Sequence, residues 1–222
     1  MNNPDLLSTA LTLREQARRP CRLNPLILMT DPARIADPLG LIASLPPNID
    51  GQMAVIFRHF GDENRRQTAS ALRQLSFERQ MQLLIGNDPE LAVACGADGV
   101  HFGRTISART LSLWKKRCPD WILSQAGKKD PLAYIGPGQS GPSDSKDLKP
   151  LDAVLISSLF ESASPSAGSP IGLGAFHNIC QKLEVPVFAL GGINADTARG
   201  LIGSGAAGLA AVSAFAALAV ET

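Results

Sequence analysis

Eight short apolar segments, separated by polar segments of helical character, constrain the fold of this chain more than any other feature. Segments that are apolar along their whole length are typical of the strands of a parallel sheet, whose two faces are both covered. Eight of them in alternation with helices predict an α/β fold, a single-domain TIM (β/α)8 barrel. A doubly wound open sheet ranks second, because no G-x-G-x-x-G pattern follows the first strand. The predicted strands are residues 26–30, 53–58, 81–85, 99–102, 121–126, 154–158, 187–190 and 209–212.

The segments between these strands have the apolar spacing of helices. An extra helix, over residues 5–19, precedes the first strand, and we expect it to cover one end of the barrel. We therefore divide the chain into an N-terminal helical extension, residues 1–24, and the barrel, residues 25–222. The other predicted helices are residues 34–45, 62–75, 88–95, 107–117 with Ser107 as its N-cap, 175–183, 195–202 and 214–220.

Two segments do not fit the alternation. Residues 128–150 are rich in proline and glycine where the fifth helix should lie, which predicts a degenerate fifth helical segment, replaced by a partly disordered loop. Residues 161–170 read E-S-A-S-P-S-A-G-S-P and follow the sixth strand. At that position of a barrel they are expected to form a mobile lid over the active-site face, with a solvated linker as the alternative.

Composition restricts the partners of the chain. The formal net charge of +1 gives no reason to expect binding to nucleic acid or to an anionic membrane. The four cysteines form no C-x-x-C pair, which predicts reduced thiols in a cytoplasmic protein. The polar N-terminus is unlike a signal peptide, and no apolar run reaches the ~18 residues of a membrane span. Composition leaves the formation of a homo-oligomer open.

Residues 185–215 contain the strongest indication of function. One apolar run ends in Gly191-Gly192, and a second ends in Val212-Ser213 at the start of a helix. Paired glycines let bare backbone N–H groups approach an anion, and a serine hydroxyl can add a further donor, so this stretch predicts a phosphate site. The alternative is a tight glycine turn and a serine N-cap without a ligand.

Several blocks of the chain resemble the thiamine phosphate synthase family and its thiazole tautomerase relatives. The blocks are L-I-L-M-T-D at 26–31, L-A-V-A-C-G-A-D-G-V-H-F-G-R at 91–104, L-D-A-V-L-I-S-S-L-F at 151–160, and V-P-V-F-A-L-G-G-I-N and G-A-A-G-L-A-A-V-S-A-F within 185–215. This resemblance implies a TIM barrel. It also implies a reaction that joins a thiazole phosphate to a pyrimidine methyl diphosphate and releases pyrophosphate, with Mg²⁺ holding the leaving group.

The resemblance also assigns binding roles to individual positions. It implies that the thiazole phosphate is bound by Gly191, Gly192, Val212 and Ser213. The family's hydroxyl pair after strand six falls on Ser162 and Ser164, whereas the lysine that follows falls on Pro165. Arg58, at the end of strand two, is the remaining cation of a longer family signature and is expected to bind the second substrate. Lys128 stands where the family has a histidine and could bind a phosphate instead.

The family's metal positions are poorly retained in this chain. Counted back from Gly96, the first acidic metal ligand falls on Asn87, with Asp88 one place late. The second falls on Ile106. An aliphatic side chain cannot bind a hard cation, so no metal-binding residue is predicted.

The remaining polar candidates are predicted to have structural roles. We expect His101 to be a hydrogen-bonded core residue, and His59 and His177 to lie away from the site, at the surface or between elements. Asp98 precedes the fourth strand, where a turn or a cap is expected.

Three functions are compatible with these residues. The first is a thiamine phosphate synthase-like transferase of thiamine biosynthesis, whose ligands are small phosphorylated thiazoles and pyrimidines and which needs Mg²⁺ only if the synthase activity is retained. The second is a catalytically inactive or regulatory barrel that binds a phosphate ligand. The third is an isomerase of a small phosphate ester that uses Lys128 or a loop carboxylate.

Overall fold

The computed structural model describes residues 4–127, 150–162 and 168–216. Within them, eight parallel strands form a closed barrel, in which each strand pairs with the next and the last pairs with the first. The prediction of a (β/α)8 barrel is therefore confirmed, and the open sheet is excluded. The strands are β1 (Leu26–Met29), β2 (Met53–Phe57), β3 (Gln82–Gly86), β4 (Gly99–Phe102), β5 (Ile122–Ala126), β6 (Ala153–Ile156), β7 (Val187–Leu190) and β8 (Gly208–Ala211).

Helices and one short 3-10 turn, Pro47–Ile49, connect and surround these strands. None of the helices formed by the described residues has the length and apolar character that crossing a bilayer requires. The helices are α1 (Pro4–Glu15), α2 (Pro38–Ser44), α3 (Arg65–Glu78), α4 (Pro89–Cys95), α5 (Ala108–Arg117), α6 (Gly172–Lys182), α7 (Ala195–Arg199) and α8 (Ser213–Ala216).

The strands are short and almost wholly buried because the barrel wall is covered on both sides. Every residue of β1, β2, β4, β6 and β8 is buried. The side chains are mainly aliphatic, with Phe57, Phe176, Phe188 and Phe215 as the largest fully buried groups. Burial of such side chains supplies most of the free energy that holds the barrel together.

Helix α1 packs over the junction at which the barrel closes. It contacts β1, β8 and α7, and it buries Leu6, Leu7 and Leu13 there. The chain that leaves α1 is hydrogen-bonded to the loop before β8, where Gln16 Oε1 accepts the Gly203 N–H at 3.1 Å. Because that loop precedes β8, this part of the extension lies at the amino-terminal end of the barrel.

The observed strand boundaries differ from the predicted ones by at most two residues, but several helix boundaries differ more. The helix predicted at 34–45 begins only at Pro38, because the Asp37 side chain accepts the Gly40 N–H and caps it there. The helix predicted at 62–75 is Arg65–Glu78, and the one predicted at 5–19 ends at Glu15. The predicted fifth helical segment and the centre of the predicted lid lie outside the described residues.

Candidate functional site

The carboxyl ends of all eight strands lie at one face of the barrel, because the strands are parallel. The loops after β2, β6, β7 and β8 therefore bring Arg58, Ser162, the Gly191-Gly192 pair and Ser213 to this face. Two further predicted binding residues, Lys128 and Ser164, lie outside the described residues.

The turn after β7 has a backbone that requires glycine. Gly191 and Gly192 have φ angles of +94° and +69°. A Cβ atom on Gly192 would lie 2.4 Å from the Glu161 carbonyl oxygen, and one on Gly191 would lie 2.9 Å from Ser158 Cα. The turn after β7 therefore lies directly against the loop after β6, which a larger residue would push away.

Helix α7 begins immediately after this turn and holds it in place. The Asn194 side chain accepts the N–H groups of Asp196 and Thr197 at 3.0 and 2.9 Å and caps the helix. The Thr197 hydroxyl donates to the Gly192 carbonyl at 2.8 Å. The glycine turn is thus fixed from the side of α7 as well as from the side of β6.

Ser213 follows β8 and has a cationic neighbour that the sequence analysis did not find. Its hydroxyl oxygen accepts a hydrogen bond from Arg34 Nη1 at 3.2 Å. The apolar spacing predicts that Arg34 begins a helix, but Arg34 lies in the turn between β1 and α2. The available signal was its place shortly after the first strand, which in a closed barrel is the neighbour of the last strand. Val212, beside Ser213, is a buried apolar residue.

Asp31 orients the Arg34 side chain. Its carboxylate accepts a hydrogen bond from Arg34 Nη2 at 2.7 Å and another from the Ala33 N–H at 3.0 Å. Partial burial raises the pKa of Asp31, but these hydrogen bonds outweigh that effect and hold its pKa below the usual value. The carboxylate is therefore ionised at neutral pH and keeps the guanidinium in one orientation.

Arg58 follows β2 directly and contacts the end of the neighbouring strand β1. Its backbone N–H donates to Thr30 Oγ1 at 2.9 Å, and its Nη1 contacts the Met29 sulfur at 2.8 Å. The buried Nε has no hydrogen-bond partner within the described part of the chain. Burial is the main effect that lowers the pKa of Arg58, and the nearby charge of Arg34 adds to it, whereas the charge of Asp31 opposes it.

His101, at the end of β4, is the core residue that the sequence predicts. It is buried, and its Nδ1 lies 2.9 Å from Ser124 Oγ on β5. Burial lowers the pKa of His101 to about 3, with a further contribution from the charge of Arg58. The ring is neutral at physiological pH and supports the barrel wall under the site.

The neutral His101 predicts a specific loss of stability in acid. In the unfolded chain the His101 imidazole has a pKa of about 6.5 and is protonated below that pH. In the folded chain it stays neutral until the pH approaches about 3, so protonation favours the unfolded state between these two values. The free energy of unfolding should therefore fall by up to about 1.4 kcal/mol per pH unit from pH 6.5 downward. Urea titrations at pH 7.5 and 5.0 should show this slope in the wild type and a smaller one in His101→Asn. The control His177→Asn removes an exposed imidazole, and an equal slope in His101→Asn and wild type would contradict the assignment.

His59 takes the second of its two predicted positions, between elements: it is buried and packs beside Phe57, with ring centroids 5.1 Å apart. Asp98 is more than a turn residue, because its carboxylate accepts the Leu83 N–H at 2.8 Å and pairs with Arg73 at 2.9 Å. It therefore ties the start of β4 to β3 and α3.

The residues at the family's first metal position are engaged with protein groups. Asn87 has a left-handed backbone with φ of 53°, and its Oδ1 accepts the Gly103 N–H at 2.6 Å. Asp88 caps α4 by accepting the Leu91 N–H at 2.9 Å, and it pairs with Arg65 at 2.6 Å. Both side chains hold loops together at the ends of β3 and β4.

Among the described residues, the two positions that correspond to the family's metal ligands offer a poor oxygen set for Mg²⁺. Hard divalent cations need several oxygen ligands, and Ile106, at the second metal position, is a half-buried aliphatic residue packed against the core. Across residues 4–127, 150–162 and 168–216, no three histidine, cysteine or acidic side chains are grouped closely enough to hold a metal ion. The described residues place several guanidinium groups at this face: Arg34 and Arg58 follow β1 and β2, Arg65 donates to the Gly86 carbonyl at the end of β3, and Arg104 follows β4.

Comparison with known proteins identifies the relatives of this barrel. The family model described as thiamine monophosphate synthase matches residues 47–215. A thiamine-phosphate synthase of Alcanivorax borkumensis is 28% identical over 199 residues, which cover 87% of this chain and 86% of the relative. A thiamine-phosphate synthase of Moorella thermoacetica is 28% identical over 145 residues, which cover 65% of this chain and 64% of the relative.

The fold agrees with that of a solved structure. A thiamine phosphate pyrophosphorylase from Pyrococcus furiosus superposes with a TM-score of 0.66 at 21% sequence identity, over 89% of this chain and 96% of that one. At this level of identity the likeness establishes a shared barrel fold and leaves the chemistry to the residues of the site.

Proposed function

The chain belongs to the thiamine monophosphate synthase family, and from this premise we propose that it is a thiamine phosphate synthase-type transferase of thiamine biosynthesis. Its substrates are a small phosphorylated thiazole and a pyrimidine methyl diphosphate. In the reaction the lone pair of the thiazole ring nitrogen forms a bond to the pyrimidine methylene carbon, the bond from that carbon to the diphosphate oxygen breaks, and pyrophosphate leaves with the electrons of the broken bond. Metabolites of this kind are handled in the cytoplasm, which is where we place the protein.

The observation that carries the proposal is the arrangement of anion-binding groups at the carboxyl ends of β7, β8 and β2. The glycine turn at Gly191-Gly192 and the hydroxyl of Ser213 suit the phosphate of the thiazole, since backbone N–H groups and a hydroxyl are good phosphate donors. Arg58, two strands away from β8, suits the diphosphate of the pyrimidine. Two anions held at separate points of one face would bring the two rings together between them.

The residues of this chain would then act by positioning and by electrostatics. Arg58 keeps donors in a partly desolvated place, where a positive charge stabilises the charge that develops on a departing diphosphate more strongly than it would in water. The neutral His101 below it keeps the wall of the barrel free of a competing charge. Ser162, half-buried in the loop after β6, would close over the thiazole side of the site.

A second function, a barrel that binds a phosphate ligand without catalysis, is favoured by one specific observation. Asp88 is engaged with Arg65 and with the start of α4, and Ile106 offers no oxygen. A chain whose residues at the metal positions bind other protein groups, or lack oxygen atoms, can keep its phosphate site. It can then bind the thiazole phosphate without catalysing the reaction. We expect such binding to raise the melting temperature equally with and without Mg²⁺.

Product formation separates the two functions. Purified protein is incubated with both substrates, with Mg²⁺ or with a chelator, and thiamine phosphate is quantified by chromatography, with reactions that lack one substrate as controls. In the reactions that contain both substrates and Mg²⁺, we expect thiamine phosphate and pyrophosphate to form in equal amounts. Stabilisation by the thiazole phosphate without any product would refute the transferase and support the binding protein. Absence of both product and stabilisation would refute both.

A further inference from the structure

We propose that Arg34 is a phosphate-binding residue, a third element of the phosphate site that the turn between β1 and α2 adds to the glycine turn after β7 and to Ser213. The inference rests on the proposed function for the identity of the ligand, a thiazole monophosphate. It rests on the geometry of the closed barrel for the site itself. Arg34 would make the site specific for a phosphorylated ligand.

The position of Arg34 follows from the register of the barrel closure. Leu28 of β1 pairs with Ala211 of β8. Asp31 lies three residues beyond Leu28, and Ser213 lies two residues beyond Ala211, so the loops after these two paired strands leave the barrel side by side. The hydrogen bond from Arg34 Nη1 to Ser213 Oγ, at 3.2 Å, is the direct result.

The hydrogen bond from Arg34 determines what the serine hydroxyl can do. Because Ser213 Oγ accepts from the guanidinium, its own hydrogen is free to point to another acceptor. A cationic donor also polarises the hydroxyl and makes it a stronger donor. Ser213 is exposed at the site face, so an oxygen of a bound phosphate can take this hydrogen while another oxygen contacts the guanidinium.

The guanidinium is fixed before any ligand arrives. Asp31 holds Nη2 at 2.7 Å and is itself held by the Ala33 N–H. The backbone N–H groups of Arg34 and Ile35 both donate to the Asp31 carbonyl, at 3.0 and 2.8 Å, and close the turn. An arginine that is already ordered loses little side-chain entropy on binding.

The charged side chains beside Ser213 favour an anionic ligand. The turn after β1 carries one carboxylate, Asp31, and one guanidinium, Arg34, and the neighbouring Arg58 adds a second cation close enough to influence both. These three side chains together therefore carry one net positive charge. A phosphate placed beside Ser213 meets this excess positive charge.

The test is calorimetric titration of three ligands: the thiazole phosphate, the corresponding thiazole alcohol without phosphate, and inorganic phosphate. We expect the Arg34→Gln variant to bind the thiazole phosphate about 10- to 100-fold more weakly than wild type. Its affinity for the alcohol should change less than about 2-fold. Arg34→Lys, which keeps the charge but loses the two-pronged contact, should recover part of the loss. The matched control is Arg22→Gln, which removes the same charge from an exposed residue that precedes β1 and bonds to the Asp120 carbonyl.

A double-mutant cycle with Ser213→Ala tests the shared contact and does not depend on either single variant alone. We expect Arg34→Gln and Ser213→Ala together to cost less than the sum of the two single losses, because each removes part of the same phosphate contact. Additive losses would overturn the proposal. The proposal would also be overturned if the Arg34→Gln protein bound the thiazole phosphate as tightly as wild type does. It would be overturned as well if the variant lost as much affinity for the alcohol as for the phosphate.

The outcomes for this inference and for the proposed function are distinct. Thiamine phosphate formation that is unchanged in Arg34→Gln would leave the function standing and overturn the role of Arg34. Binding of inorganic phosphate that depends on Arg34, in a protein that binds neither thiazole compound, would support the role of Arg34 and refute the function. A wild-type protein that binds none of the three ligands would overturn both.

Discussion

Replacing Arg58 with methionine is expected to make the protein more stable while removing most of its activity. The Arg58 Nε is buried without a partner in the described residues, and an unsatisfied buried donor costs about 1–3 kcal/mol. Methionine has a similar length and can fill the same space beside Met29 without this penalty. We expect the free energy of unfolding to rise by about 1 kcal/mol. We expect kcat/KM for thiamine phosphate formation to fall at least about 100-fold, because the diphosphate loses its cation.

Urea denaturation and steady-state kinetics on the same preparations measure both effects. Arg79→Met provides the matched control, because Arg79 is a well-satisfied arginine distant from the site: it pairs with Asp50 at 2.7 Å and donates to the Leu45 carbonyl at 2.9 Å. We expect this control to lose about 3 kcal/mol of stability, since it leaves a carboxylate and a carbonyl without their partner. If Arg58→Met destabilised the protein as much as Arg79→Met, a structural role for Arg58 would replace the functional one.

The Gly99→Ala variant is expected to lose most of its folded population. Gly99 begins β4, between β3 and β5, and an added Cβ would lie 1.9 Å from the Ile122 carbonyl oxygen. The clash is with the backbone of a paired strand and not with a flexible side chain, so β4 and β5 must separate to accommodate it. We expect a loss of about 4 kcal/mol or more in the free energy of unfolding, or failure to accumulate as soluble protein.

A second glycine serves as the matched control. Gly174 lies in α6, and a Cβ built there meets nothing within 4 Å. Gly174→Ala should therefore stabilise the protein by about 0.5–1 kcal/mol, the usual preference of a helix for alanine over glycine. Thermal unfolding followed by circular dichroism should show a lower melting temperature than wild type for Gly99→Ala and a higher one for Gly174→Ala. A small effect of Gly99→Ala would mean that β4 and β5 can move apart without loss of the barrel.

The architecture could be predicted because each strand carries its own signal. The apolar runs are short and end at glycine, serine or charged residues, and β7 is predicted at its observed boundaries, Val187–Leu190. Helix ends were harder, because they depend on capping groups that compete with one another. The chain from 34 to 37 has helix-forming residues, but the Asp31 and Asp37 side chains accept local backbone N–H groups and delay α2 until Pro38.

The candidate site could be predicted only where it consists of consecutive residues. The Gly191-Gly192 turn and the place of Ser213 after β8 follow from local sequence. The contact of Ser213 with Arg34 joins residues 179 positions apart, and it exists only because the barrel closes in one register. The role of Asp98 was underestimated for a similar reason, since its partners Leu83 and Arg73 lie on other elements.

The junction of β1 with β8 also determines the order in which the protein can be assembled during synthesis. Among the eight strands of the barrel, β1 leaves the ribosome first, whereas β8, its partner on one side, leaves it last. Until then one edge of β1 has no strand to pair with, and the leucines of α1 lack part of the surface that they cover. The barrel can therefore close only after β8 is available, and the contact of Arg34 with Ser213 forms in the same step that pairs the free edge of β1.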